Sequence, residues 1–406
     1  MKNYVSLVKG LGISALLAFA LPLFAAATYS HVTEIFPSDP ADGQFFGLAV
    51  AMSDDVAVIG APNNSSPFNP PPPTDGAAYV FIKTDAGWVF QQKLVASDGN
   101  GQNTSLGNQF GFAVALAGDT IVVGAPSRRS GDKTGAVYVF KRSDTTWSEQ
   151  AIITSSTPRP FGLSVALRGG TLVSGSLEDR LSGGGTSDAG LAFVFVRSGD
   201  QWTEQGNLMS ADVPPQNRYG VSVDIRGNTV VVGAEHPFDA SPAAVYVFSR
   251  QGNTWTQETK LSSENNSTMF GHSVSLWGAS LVVGDPASNA VSIYEHSGHD
   301  WQLMQSLAGS PNTAFGSAVA QREDKLLIGA RRATVGGAGS GAAYLYGFDE
   351  TTWTWTLSQT LVPADGQETD NYGAAVSLSS TAPLIGAYRH FHSPNPQSGA
   401  AYLYEP

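Results

Sequence analysis

Apolar and small residues alternate along this chain in short runs broken by Gly, Pro, Asn and Asp. The clearest unit is FGFAVALAGDTIVVGAP, from Phe110 to Pro126. Phe110, Phe112, Val114 and Leu116 fall on one side of a strand, and Gly111, Ala113 and Ala115 on the other, because strand side chains alternate between faces. A Gly-Asp pair at 118 predicts a tight hairpin turn. A β-branched run then predicts a second strand, ended by Gly-Ala-Pro. The small face reads as an innermost strand, where neighbouring units crowd.

The unit recurs with aromatic starts near 46, 110, 161, 219, 270, 315 and 372, at intervals of 64, 51, 58, 51, 45 and 57 residues. Each copy adds a third strand, such as AVYVF ending at Phe140. Six copies add a fourth that opens on Trp, as in WSEQAII from Trp147. Four strands per repeat at this period predict an all-β, seven-bladed β-propeller of four-stranded antiparallel blades. The seventh copy stops after its third strand. The segment SHVTEIFPSD from Ser30 supplies the missing outer strand and is expected to close the ring, leaving only short edges.

Composition narrows the setting. Residues 1–27 read as a signal peptide: Lys2 and Lys9, an apolar stretch from Leu11 to Phe24, then Ala25-Ala26-Ala27. The expected mature domain is 28–406, secreted to the periplasm or the exterior, with no membrane span after cleavage. The 406 residues contain no Cys, so disulfides and thiolate metal sites are out. The formal net charge is −12, and removing Lys2 and Lys9 makes it −14. An acidic chain without a basic cluster is not a nucleic-acid binder. A monomer is expected.

The Phe-Gly…Gly-Ala-Pro pattern resembles the FG-GAP repeat, the unit of the seven-bladed propeller of integrin α subunits and of many secreted bacterial proteins, across residues 30–406. The resemblance implies that fold and an adhesion-type binding role. The calcium loops of integrin-type repeats do not carry over. The turns SDD, AGD, RGG, RGN, WGA, RED and SST lack the length and carboxylates of a six-to-eight-oxygen cage. No cofactor is expected, calcium being the one ion left open. The glycines do not form a phosphate loop, which needs a following helix.

Spacing separates two faces. Opening aromatic to Gly is 14 residues in every copy (46 to 60 through 372 to 386), and third strand to Trp is 7 in six (81 to 88 through 346 to 353). The other two connections vary, and alternate turns of an up-and-down sheet share one end. The variable face is therefore the expected binding face, with unconstrained drift as the competing account. Candidates there are Arg128, Arg129, Arg331, Arg332, Arg389, Glu178, Asp179, Arg180, Glu235, His236 and His390. An Arg cluster can hold a carboxylate or phosphate; a solvated loop is the plainer reading. His390 and His392, with Glu235 or Asp239, make only a weak metal pattern, and no metal residue is assigned. The Asp-Gly pairs at 42, 98 and 365 read as turns. Asp224 replaces the usual Ala or Ser of the inner strand and needs either the solvated channel or a partner such as Arg226. The repeating Trp residues read as packing.

No nucleophile elbow, metalloprotease helix or paired-carboxylate motif appears. The expected function is a binding module for a protein or glycan ligand. A propeller enzyme of hydrolase or lyase type with a site at the channel mouth, and a purely structural envelope component, are the alternatives.

Overall fold

The computed structural model describes residues 28–63, 75–99, 108–130, 133–156, 160–176, 190–210, 212–213, 217–236, 242–298, 300–335, 339–391 and 397–406, without the side chains of 128–130 and 133–134. The expected leader, the Pro70 to Pro73 run, Glu178, Asp179, Arg180, Asp239 and His392 lie outside the described residues.

The described chain is all strand and turn, in four-stranded antiparallel sheets whose strands pair in sequence order. One sheet runs Ala49–Met52, Val56–Ala61, Ala77–Thr84, Gly87–Leu94. Two four-stranded sets, 113–153 and 161–208, join through a single parallel pair, Phe161 with Gly135, into an eight-stranded sheet. The set Tyr372–Leu378, Pro383–Ala387, Ala400–Glu405 takes His31–Ile35 as its fourth strand, in a register from His31 with Glu405 to Ile35 with Ala401. The arrangement is propeller-like.

Burial follows the strand order. The second strands, such as Val56–Ala61 and Thr171–Ser176, are buried throughout, which is why they read as unbroken β-branched runs. The fourth strands are largely exposed. Each opening aromatic lies against third-strand rings of its own sheet: Phe110 sits 5.1 Å from Tyr138 and 6.0 Å from Phe140, both edge-on, the favoured aromatic geometry.

The glycine after that aromatic departs from simple alternation. The first strand proper starts only at Ala113, or carries a register shift, as between Phe161 and Ser164. Gly111 has φ +96°, and a Cβ there would run into Ala77 O of the neighbouring sheet. The left-handed backbone and the close approach both require glycine. The Gly ending the second strand meets it from the other side. A Cβ on Gly60 would strike Gly111 O; the same holds for 124 on 162, 175 on 220, 233 on 271, 284 on 316, 329 on 373 and 386 on 47.

Fourth strands bond the next sheet. All six Trp-bearing fourth strands have a register shift opposite the third-strand aromatic that leaves one residue unpaired. Such a bulge re-aims its side chain. Bulged Gln91 accepts from Trp147 Nε1 at 3.0 Å, and Gln205 from Trp255 Nε1 at 2.8 Å. Gln359 holds the backbone of Tyr29 (2.8 and 3.0 Å) as Gln92 holds that of Trp147 (2.7 and 2.8 Å), so the N-terminal strand takes the place of a Trp strand.

Gly124→Ala should cost about 3 kcal/mol, because the obstacle is backbone of the next sheet. Gly206→Ala, with nothing within 4 Å of the added carbon, should stay within about 1 kcal/mol. Urea unfolding of both variants compares them; equal losses would contradict the inter-sheet glycine contact.

Candidate functional site

The loops after the second strands bring part of the predicted arginine set together. Arg331 and Arg332 follow Lys325–Ala330, and Arg389 follows Pro383–Ala387. Backbone bonds pin them to the neighbouring loops: Arg332 N donates to Thr313 O (3.0 Å) and Arg389 N to Asp370 O (3.1 Å). The three side chains line one open cleft of about 470 Å³ with Tyr388, Glu368 and Asn371. Burial lowers the pKa of Arg331, and Arg332 and Arg389 lower it further, against Tyr388 and Glu235. Its Nε is buried without a hydrogen-bond partner. A half-buried guanidinium with an unused donor beside two like charges, against the single carboxylate of Glu368, leaves the cleft with an excess of positive charge that suits an anion.

Glu235 and His236 are not loop-surface groups. Both are buried, at 0% and 1% exposure. Glu235 ends Thr229–Glu235 facing inward, where its carboxylate pairs with Arg218 and, at 2.9 Å, with His272 Nδ1. Burial pushes its pKa up, but His272, Arg218 and Arg331 together hold it below the usual value. The strand runs on past Gly233 to Glu235, so Glu235 is still held within the sheet. Arg218 and His272 gave no signal in sequence, since neither belongs to a motif. The backbone of Arg128 and Arg129 lies in Thr120–Ser130.

His390 is buried too, at 3% exposure, and does not face the arginine cleft. Its Nδ1 lies 2.8 Å from Asp370 Oδ2, and its Nε2 lies 3.4 Å from Asp365 Oδ2 and 3.6 Å from Glu34 Oε1. Burial lowers the His390 pKa, but Asp370, Asp365 and Glu34 leave it raised. Burial and Asp365 raise that of Glu34. Asp365 therefore does more than form an Asp-Gly turn. Glu235, the expected partner of His390, is taken by Arg218 and His272.

The opposite face carries a correction. Cross-strand register pairs Trp88 with Lys83, Trp147 with Arg142, Trp255 with Arg250 and Trp355 with Phe348. The sixth copy's equivalent Trp is thus Trp355, and the constant spacing to Trp353 is a coincidence of a turn two residues longer. Trp353 is 63% exposed at φ 56° and stands edge-on to Phe348 at 5.9 Å. With Trp277, Trp355 and Met304 it lines an aromatic hollow of about 180 Å³.

Asp224 keeps part of its surface exposed and, among the described residues, forms no ion pair. Its oxygens accept from Ile225 N and from Leu276 N of the next sheet, each at 2.7 Å. Ser275 and Ser377 make the same bolt, to Gln321 N (3.0 Å) and Met52 N (3.1 Å). Burial raises the Asp224 pKa to about 6, against those two N–H groups, Arg168 and Arg226. Arg226 stacks instead on Trp277, 3.9 Å from the ring centre.

A model of the family described as FG-GAP repeat matches residues 29–81, 88–140, 202–248, 307–346 and 355–404. No curated protein matches. Among solved structures, the crystal structure of the Saccharomyces cerevisiae Sqt1 is similar at a TM-score of 0.49 and 10% identity, over 94% of this chain and 100% of that one.

Trp355→Ala should cost about 3–5 kcal/mol as a core truncation, and Trp353→Ala less than about 1 kcal/mol. Thermal melts of the two variants test the register; a larger loss at Trp353 would refute it. A carboxyl whose folded pKa is raised adds stability that is present below its unfolded value and lost as pH rises through about 6. The stability of the native chain relative to Asp224→Ser should therefore grow as pH falls from 7 towards 4. A difference that stays flat over that range in urea titrations would count against the raised Asp224 pKa.

Proposed function

The chain belongs to the FG-GAP repeat family, and from that premise we propose that it is a secreted ligand-binding module built as a closed ring of seven blades. The pairing of His31–Ile35 with Ala400–Glu405 and the approach of Gly386 to Gly47 support ring closure. The repeat family supports an extracellular setting, and no described helix is long and apolar enough to cross a membrane.

The module would recognise a protein or glycan ligand through its variable-loop face, by an anionic group seated among Arg331, Arg332 and Arg389. The observation that carries this is the buried, unpartnered Nε of Arg331 in a cleft whose two other arginines add like charge. Planar guanidinium forks fit a carboxylate or sulfate with two parallel N–H bonds. Glu235 is part of the frame: held by Arg218 and His272, it places a fixed negative charge near enough to Arg331 to favour its charged form. A channel-mouth enzyme would need a carboxylate free to exchange protons with substrate. Asp224, the carboxylate of the inner strand Arg218–Arg226, spends both oxygens on backbone N–H groups.

A panel of uronate-bearing oligosaccharides and acidic peptides, titrated at low and high salt, tests the reading. One class should bind, more weakly at high salt, and Arg331→Gln with Arg389→Gln should weaken it at least about tenfold. Binding unchanged in the double variant, or no binding by either class, would overturn it.

A further inference from the structure

The repeats build one polar device several times, and one copy has its charge reversed. In the sheet 49–94, Tyr79 OH donates to Asp39 Oδ1 (2.6 Å), and Lys93, directly across from Tyr79, reaches Asp39 Oδ2 at 2.6 Å. In the sheet 218–262, Lys260, directly across from Tyr246, reaches Asp212 Oδ2 at 2.7 Å. These two copies set the aspartate against an ammonium on the fourth strand; a third, in which Tyr138 OH donates to Asp98 Oδ1 at 2.6 Å, has the uncharged Ile152 across from its Tyr.

In the sheet that ends the chain, Tyr402 OH donates to Asp365 Oδ1 at 3.1 Å, and the residue directly across from Tyr402 is Glu34. The ammonium of the sheets 49–94 and 218–262 is thus replaced here by a second carboxylate. Tyr402 OH is 3.1 Å from Glu34 Oε1 as well. Into the same space points His390, with its Nε2 towards both acids and its Nδ1 on buried Asp370. One donor atom each from Glu34, Asp365 and His390 lies within 4.8 Å of the others.

We propose that Glu34, Asp365 and His390 form a binding site for a single divalent transition-metal ion of the zinc class, which takes the place of the missing ammonium. A tetrahedral zinc ion with bonds of about 2.0–2.2 Å sets its donors about 3.4 Å apart. The separations from His390 Nε2, 3.4 Å to Asp365 and 3.6 Å to Glu34, match that edge. Asp370 completes the pattern: a carboxylate on the far nitrogen of a ligating histidine fixes its tautomer and strengthens it as a donor. One nitrogen and two oxygen donors suit zinc better than calcium, which takes six to eight oxygens. Asp365 and Glu34 keep 45% and 29% of their side-chain surface exposed, so the ion has a way in and a fourth position open to water or a ligand group. The site adjoins the arginine cleft but shares none of its side chains, so either can fail without the other.

The test is calorimetric titration of the metal-free chain with zinc sulfate, and with calcium chloride alongside. Cobalt(II) serves as a coloured reporter of tetrahedral geometry. One zinc per chain should bind, calcium should not, and cobalt should give an intense visible band. Glu34→Lys restores the ammonium of the sheets 49–94 and 218–262; it should fold, as judged by an unchanged metal-free melt, and lose zinc binding. Asp370→Asn should weaken zinc about 10–100-fold. Failure of the native chain to bind zinc, or binding retained in a folded Glu34→Lys, would overturn the proposal.

Discussion

Neighbouring sheets touch where two glycines meet, and the rest of the architecture follows from that contact. The Gly ending each second strand presses on the Gly after the next opening aromatic, with no room for a β-carbon on either. Backbones that close cannot be separated by side chains, so inter-sheet distance is set by the main chain. Shape then leaves little freedom. Small residues must face the neighbour near the contact, and bulk must lie farther out, where the sheets splay. The opening aromatics take that outer space, each against the third-strand rings of its own sheet.

Polar side chains also bridge the gap, beside the apolar clusters that span neighbouring sheets. Bulged glutamines reach the Trp of the next sheet, and Asp or Ser side chains on inner strands bolt the next backbone. These bonds are directional, so they fix angular register where packing alone would allow slip. Because the frame is held by recurring contacts, single repeats can vary at the loops without loss of the whole. The arginine cleft, the longer turn bearing Trp353 and the Glu34–Asp365–His390 cluster are all such local departures from a repeated pattern.

How far the sequence shows these features depends on how many residues encode each. The strands and their pairing partners are spelled seven times, so a deviation in one copy is averaged out. The N-terminal fourth strand was legible because a repeat lacking one strand leaves a visible gap at the other end of the chain. Trp353 misled because one spacing was compared without its partner strand: only the pairing of Trp355 with Phe348 separates the packed Trp from the exposed one. Glu235 and His236 read as loop residues because an inward and an outward side chain at a strand end look alike in sequence.

What the sequence determined by itself is therefore what repetition encodes: short strands, hairpin turns, glycine contacts, and the family to which such repeats belong. What the tertiary structure decided is which unique residues meet. Glu34 and Asp365 stand 331 positions apart, and nothing local links them. They meet because the first strand pairs with the last in one register, Glu34 opposite Tyr402. Arg331 and Arg389 likewise share a cleft only because their sheets are neighbours. Local patterns carry the conformation of a strand, since that depends on adjacent residues. The chemistry of a site depends on distances through space, and those are set only when the sheets have come together.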